Sequence, residues 1–345
     1  MTMNRSRLLL AAMYRARHCL VLLAAGTFAT FAVEAGCSRP VVDAIPMLEK
    51  MERAWEEVHD YAAVLLKTER FTDGTITDER AVVKFRKPNQ LYLHVLEGAN
   101  AGAELLYPKP GTDNVTLGRP GGVTGAVAGF LVNVPAIGLL VPYEFDLDDS
   151  RLMDGQHHPL PDPTIAGMLQ LISLNLRTAA RHMEGSMCFH PGELVDGHRS
   201  IKIEVLFPSD SGIWHTVVKG ETLWSIGGDY GQDRYVVMYN NPSIDPENVL
   251  PPGERIFVPR YYAARAQVWI SESFNLPVKL QMFDVENRVY ESYSYVDLRI
   301  DIGLTAENFD PVLHGFPVVT TLDEGQTAAH RTSPVKEFGV LDARP

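Results

Sequence analysis

Apolar residues recur at three- and four-residue steps over Ala44–Tyr61, where Ile45, Leu48, Met51, Trp55 and Val58 share one face. That spacing predicts an amphipathic helix. The period then changes to two. The run Tyr61–Phe71 leads into Asp73-Gly74, a hairpin turn signal, and strand-like runs follow at Glu79–Arg86, Gln90–Leu96 and Glu104–Tyr107. Lys87-Pro88-Asn89, Glu97-Gly98 and Pro108–Gly111 break them apart, which predicts an antiparallel meander. Val123–Val141 carries no charge, but Gly125, Gly129, Pro135 and Gly138 weaken it as a spanning helix. Lying inside a strand-forming region, it reads as a buried or lid-like segment rather than a membrane span.

Ile165–Glu184 predicts a second helix, with Met168, Leu169, Ile172, Leu176 and Ala179 on one side. Strands resume at Ser186–His190, Glu193–Asp196 and His198–Phe207. After Pro208–Gly212 the sequence changes character, and strand patterns return at Tyr261–Ile270, Pro277–Val285 and Arg288–Ile300. Strand, foreign segment, strand is the pattern of a domain inserted at a hairpin tip, where chain ends lie close. The tail 311–345 has little pattern and reads as largely disordered, most clearly from Asp323 on.

Composition narrows the function classes. The chain has 345 residues, 46% hydrophobic and 21% charged, enough for a sizeable core. Its formal charge of −12 argues against nucleic acid and against electrostatic docking on anionic lipid. The N-terminus reads as an export signal over residues 1–36: Arg5, Arg7, Arg15 and Arg17 precede the apolar run Leu20–Val33, shorter than the roughly 20 residues a spanning helix needs. Two cleavage readings stay open. Val33-Glu34-Ala35 offers small residues for a general signal peptidase. Ala35-Gly36-Cys37 looks like the end of a lipobox that would make Cys37 an acylated first residue, although Glu34 stands where Leu or Val is usual. Without acylation, a Cys37–Cys188 bridge in an oxidising compartment is the other use of these cysteines.

The segment from Trp214-His215-Thr216-Val217-Val218-Lys219-Gly220-Glu221-Thr222-Leu223-Trp224 onward continues through Tyr230-Gly231 and Tyr239-Asn240-Asn241-Pro242-Ser243-Ile244, and closes with Leu250-Pro251-Pro252-Gly253-Glu254-Arg255-Ile256-Phe257-Val258-Pro259. Residues 213–260 resemble a LysM domain in length, order and spacing. The resemblance implies a βααβ unit that binds peptidoglycan or another N-acetylglucosamine polymer. It places Gly220, Glu221, Thr222 and Leu223 on one wall of the groove and Asn241, Pro242, Ser243 and Ile244 on the other. Backbone groups would pair the N-acetyl amide, with Leu223 and Ile244 against its methyl. Read from the residues themselves, Thr222 can cap a helix starting at Leu223, Gly220 permits the turn before it, and Trp224, Ile226, Ile244, Ile256 and Val258 supply a small core.

The flanking halves, 41–212 and 261–310, carry Tyr61–Arg70, Val83-Lys84-Phe85-Arg86-Lys87-Pro88, Asn275-Leu276-Pro277-Val278-Lys279-Leu280 and Tyr293-Ser294-Tyr295-Val296-Asp297-Leu298. They resemble the LolA/LolB-like lipoprotein-carrier superfamily. That resemblance implies an α+β fold, a curved antiparallel incomplete β-barrel with helices closing its mouth. An apolar concave face could hold an acyl chain, a lipoprotein or a partner, or could be filled by its own side chains.

Catalytic chemistry has little support. Cys188 and His190 face the same side of a strand without an orienting partner. His157-His158 has no metal-ligand spacing to a further His or Glu. Asp146, Asp148, Asp149 and Asp154 form an acidic loop best read as solvated. Glu69-Arg70 and Arg86-Lys87 read as surface or cross-strand pairs. The expectation is therefore a non-catalytic protein of the periplasm or outer membrane, with no cofactor and no metal, bound to wall glycan through the insert and attached to the membrane if Cys37 is lipidated.

Overall fold

The computed structural model describes residues 37–119, 121, 143–146, 156–158, 162, 164–244 and 249–316. Met1–Cys37 is one unit, of which only the half-buried Cys37 is described; Ser38–Pro345 is the other. The export segment, Val123–Val141, Asp148, Asp149, Asp154 and the tail beyond Phe316 lie outside the described residues. Among the described residues no helix is long and apolar enough to cross a membrane.

The strands are β1 (Arg39–Pro40), β2 (Asp60–Arg70), β3 (Ile76–Arg86), β4 (Gln90–Glu97), β5 (Glu104–Tyr107), β6 (Val115–Arg119), β7 (Tyr143–Asp146), β8 (Ser186–Val195), β9 (His198–Leu206), β10 (Gly212–Thr216), β11 (Arg255–Pro259), β12 (Arg265–Ser271), β13 (Pro277–Phe283) and β14 (Val289–Ile300). The helices are α1 (Ile45–Glu57), α2 (Ile165–His182), α3 (Leu223–Asp229) and α4 (Arg234–Tyr239). Twelve strands form one antiparallel sheet in the order β1-β8-β9-β12-β13-β14-β2-β3-β4-β5-β6-β7, with its two end strands not joined. Among the described residues, β10 and β11 pair only with each other. The α+β class and the unclosed antiparallel sheet match expectation.

Helices α1 and α2 cover one face of the sheet. Leu48 and Met51 of α1 and Met168, Leu169, Ile172, Leu176 and Ala179 of α2 share a single core with Tyr61, Leu65, Val83, Phe85, Val268, Leu280 and Tyr295. Thr164 caps α2 by accepting from Gly167 N at 3.1 Å, and Met183 (φ 55) and Gly185 (φ 77) turn the chain out of it. Helix α1 stops at Glu57, four residues before the expected Tyr61, because Asp60 already pairs with Arg86 in the sheet.

The interrupting segment folds as β10-α3-α4-β11 around its own small core of Val217, Leu223, Ile226, Val237, Leu250, Ile256 and Val258. Trp224, expected in this core, is 44% exposed instead, with the Arg234 guanidinium over its ring. Thr222 and Ser225 form a reciprocal capping box on α3, and Asp233 caps α4 through Tyr235 N at 2.7 Å. Helices of seven and six residues are too short to persist alone. Tertiary packing holds them.

Of the tail, only residues 311–316 are described, and these are packed. Phe316 is 2% exposed and packs with Tyr92, Leu106, Leu117 and Phe309. Arg119 fastens this stretch by donating to the His314 carbonyl at 2.8 Å.

Candidate functional site

In β2 the residues that face the helices are Tyr61, Ala63, Leu65, Lys67 and Glu69, following the two-residue alternation of a strand. The first three are core residues; the last two carry charge into the same buried face. β14 repeats the change, running from Tyr295 through Tyr293 to Glu291, and β3 adds Glu79. Register brings them together: Lys67 stands opposite Glu79 on one side and Tyr293 on the other, and Glu69 stands opposite Glu291. Glu69 and Glu291 are both fully buried. Glu69, expected in a surface or cross-strand pair, is an interior carboxylate, because its parity along β2 is that of the core.

Two like charges directly opposite each other destabilise a sheet, and a buried charge needs a partner. Each carboxylate has several. Lys67 Nζ lies 2.7 Å from Glu79 Oε2 and 3.4 Å from Glu69 Oε2, and also donates to Gln156 Oε1. Tyr293 donates to Glu69 at 2.5 Å, and the His157 backbone N–H donates to its other oxygen at 3.3 Å. Glu291 accepts from His157 Nδ1 at 2.7 Å, from Tyr262 OH at 2.6 Å and from His158 Nε2 at 3.3 Å. His157 Nδ1 therefore carries a proton, and the buried Nε2 has no hydrogen-bond partner among the described residues.

Helix α4 closes this cluster. Tyr235 packs against the His157 ring at 4.2 Å between centroids, and Phe71 meets the same imidazole edge-on at 4.7 Å. Tyr235 OH donates to the Gln156 carbonyl at 3.2 Å, and Tyr239 OH donates to the Arg70 carbonyl. Val236 belongs to the main core, whereas its neighbour Val237 belongs to the core of the βααβ unit. The segment leaving β11 is fixed as well. Arg260 pairs with Glu184 at 2.7 Å, and the Tyr262 N–H donates to Asn175 Oδ1 at 2.9 Å.

The electrostatics follow from burial and pairing. Burial pushes Glu291 up, but the His158 charge and the hydrogen bonds from both histidines outweigh it and hold the carboxyl well below its ordinary range. Burial likewise depresses His158, yet the Glu291 charge and hydrogen bonds to Asp162 and Glu291 keep its pKa well above the usual 6.5. Burial and the Glu291 charge raise Tyr262, Tyr290 and Tyr293, so all three stay protonated donors.

Residues 58–216 match a family described as a protein of unknown function, DUF1571. That match contains Lys67, Glu69, Glu79, His157 and His158 and ends at the last residue of β10, Thr216. No curated protein matches the chain. Among solved structures, it is similar to an uncharacterized conserved protein from Thermus thermophilus at 7% identity, covering 77% of this chain and 92% of that one with a TM-score of 0.35. It is similar to a LolA superfamily protein from Nitrosomonas europaea at 12% identity, covering 77% and 97%, TM-score 0.26. Similarity to the Mycobacterium tuberculosis lipoprotein LppX is at 8% identity, covering 76% and 98%, TM-score 0.32.

The eight residues expected to line a glycan groove divide into two groups. Leu223 is wholly buried in the small core, and the Asn241 side chain is used internally, bonding Val237 O and Phe257 O and accepting from Phe257 N. Gly220, Pro242 and Ser243 are exposed, and Glu221, Thr222 and Ile244 are half-buried. Glu221 is engaged by His215 at 2.7 Å and by the Val218 N–H at 2.7 Å; these hydrogen bonds lower its pKa. Leu223 and Ile244 join the same small core, so the two loops meet through it.

Among the described residues, a small apolar void lies between α2 and the sheet. It measures about 20 Å³ and is lined by Met51, Ile172, Leu176, Ile203, Val268 and Met282 among others. That is room for about one water molecule. Cys188 and His190 do face each other, Sγ to Nε2 at 3.1 Å.

The buried cluster was missed because its acids lie far apart in the chain and its histidines lack ligand spacing. The available signal was parity: Lys67 and Glu69 share the inward phase of Tyr61, and Glu291 that of Tyr295.

Proposed function

We propose that the protein is an exported, non-catalytic binder of cell-wall glycan. Its 213–260 segment acts as a LysM domain that takes an N-acetylglucosamine polymer between the Gly220–Leu223 and Asn241–Ile244 loops. One observation supports this most: the segment closes on itself as β10-α3-α4-β11 with its own core, the arrangement the resemblance implies. Because Leu223 and Asn241 are internal, the sugar meets Gly220, Thr222, Pro242, Ser243, the outer part of Ile244 and the backbone of both loops.

The buried cluster serves this function as a mount. Glu69, His157 and Glu291 have no exposed surface through which a substrate could reach them. Their hydrogen bonds are spent on one another and on His158, Tyr262 and Tyr293. The sheet domain is the framework that carries the βααβ unit. Export would put the protein in the periplasm or at the outer membrane.

The test is co-sedimentation of the mature protein with purified peptidoglycan sacculi and with insoluble chitin. Deleting the whole segment would also strip Tyr235 and Tyr239 from the buried cluster, so the variant is Ser243→Trp at an exposed loop position. Wild type should pellet and Ser243→Trp should remain soluble at an unchanged thermal midpoint. Wild type left in the supernatant with both polymers overturns the reading. An acyl chain in an organic extract of that same protein would assign it to lipid carriage instead.

A further inference from the structure

β10 and β11 pair residue by residue, Trp214 opposite Phe257 and Thr216 opposite Arg255. One face of this ribbon, with Ile256 and Val258, closes the small core. The other carries Gly212, Trp214, Thr216, Arg255 and Phe257. Phe257 is half-buried and leans over Gly212, where a Cβ would lie 2.7 Å from its ring. Trp214 packs against Phe257 at 5.3 Å and 52°, yet remains 58% exposed. The Arg255 guanidinium lies 4.9 Å from the Trp214 ring centre.

Of the other cations stacked on tryptophan, three are committed elsewhere, and Lys279 lies over Trp269, which is buried. Lys87 donates to the Trp55 and Glu56 carbonyls, Arg234 donates to Tyr235, and Lys202 pairs with Glu193 beside the buried Trp269. Arg255 is exposed and makes no hydrogen bond or ion pair among the described residues. A flat aromatic face stacks against the C–H face of a sugar ring, and a pre-oriented guanidinium accepts a carboxylate in two-pronged fashion. The charge of −12 gives no general attraction for a polyanion, so an acidic glycan must be met by a local cation.

We infer that the outer face of the β10–β11 ribbon is a second saccharide subsite, in which Trp214 stacks a sugar ring and Arg255 pairs with a carboxylate borne by the same glycan. The subsite rests on the glycan-binding reading and deepens it: the preferred polymer is carboxylated, as peptidoglycan is, rather than neutral, as chitin is.

The experiment is quantitative pelleting of the full mature protein with sacculi, with sacculi whose carboxyls have been capped as amides, and with chitin. Arg255→Gln should weaken binding to sacculi about tenfold and leave chitin binding unchanged, and capping should weaken wild type to the same level. Trp214→Ala should weaken binding to both polymers. Both side chains are exposed, so the variants should keep the wild-type melting midpoint. Wild type that binds neither polymer overturns the glycan reading and the subsite with it. Wild type that binds sacculi while both variants bind equally well overturns the subsite alone. Self-association abolished by Trp214→Ala, with sacculus binding intact, would give the face to a second copy of the chain and also overturn it.

Discussion

His157 Nδ1 lies 2.7 Å from Glu291 Oε1, and neither side chain has any exposed surface. The contact joins a segment before α2 to a strand near the end of the fold. It also sits beneath the helix through which the βααβ unit meets the sheet.

Breaking this cluster on one side leaves charge stranded. Glu291→Gln removes the partner of His158⁺, and the loss of a buried pair member costs about 3–5 kcal/mol. Chemical denaturation at pH 6 should show a drop of that size.

The pH dependence has two limbs. Glu291 is held below its ordinary 4.5, so its contribution is full above that pH and is lost as pH falls through the depressed value. His158 is raised above 6.5, so its contribution is full below 6.5 and is lost as pH rises through the raised value. The cluster stabilises most between these two ordinary values. Melting midpoints against pH should fall on both sides of that window, and both limbs should flatten in Glu291→Gln.

Lys67→Met should be similarly damaging, by about 3–5 kcal/mol near neutrality, because Glu69 and Glu79 then face each other's region without a cation. Burial pushes Glu79 up, and Lys67 at present overrides this and lowers it. Without Lys67 the carboxyl should rise above 4.5. The deficit of the variant should therefore shrink as pH is lowered, the opposite of wild-type behaviour.

Calorimetry should give one transition rather than two. Val236 and Val237 place neighbouring α4 residues in different cores, so neither core can open alone. Tyr239→Phe should lower the whole transition by about 1 kcal/mol through loss of its bond to the Arg70 carbonyl. A separate early transition for the βααβ unit would contradict this.

Phe316→Ala should cost about 3–5 kcal/mol, as expected for a buried aromatic ring. Truncation after Asp310 should do at least as much harm, measured by urea unfolding.

Much of the fold was readable where local chemistry decides it. Asp73 caps its own turn through Thr75 while Gly74 takes φ 88, and α2 runs Ile165–His182 beneath the expected Ile165–Glu184. Helix α1 was overextended because Val58 and Tyr61 continue its apolar spacing into the next strand. Trp224 stays outside the small core because Leu223 and Ile226 already fill the inward face of a two-turn helix. The cluster was least readable. A Lys or Glu alternating with polar residues looks like a wet face, and only long-range register shows that β2 and β14 carry theirs inward.

The chain enters and leaves the βααβ unit through the paired residues Gly212 and Pro259, side by side at one end of the ribbon. A unit held only there would unzip one hydrogen bond at a time when pulled. Tyr239 on the Arg70 carbonyl, Tyr235 on the Gln156 carbonyl and Arg260 on Glu184 add three separate footholds. Tension on the unit is shared among them and passes sideways into a twelve-stranded sheet, so the assembly resists traction as one body.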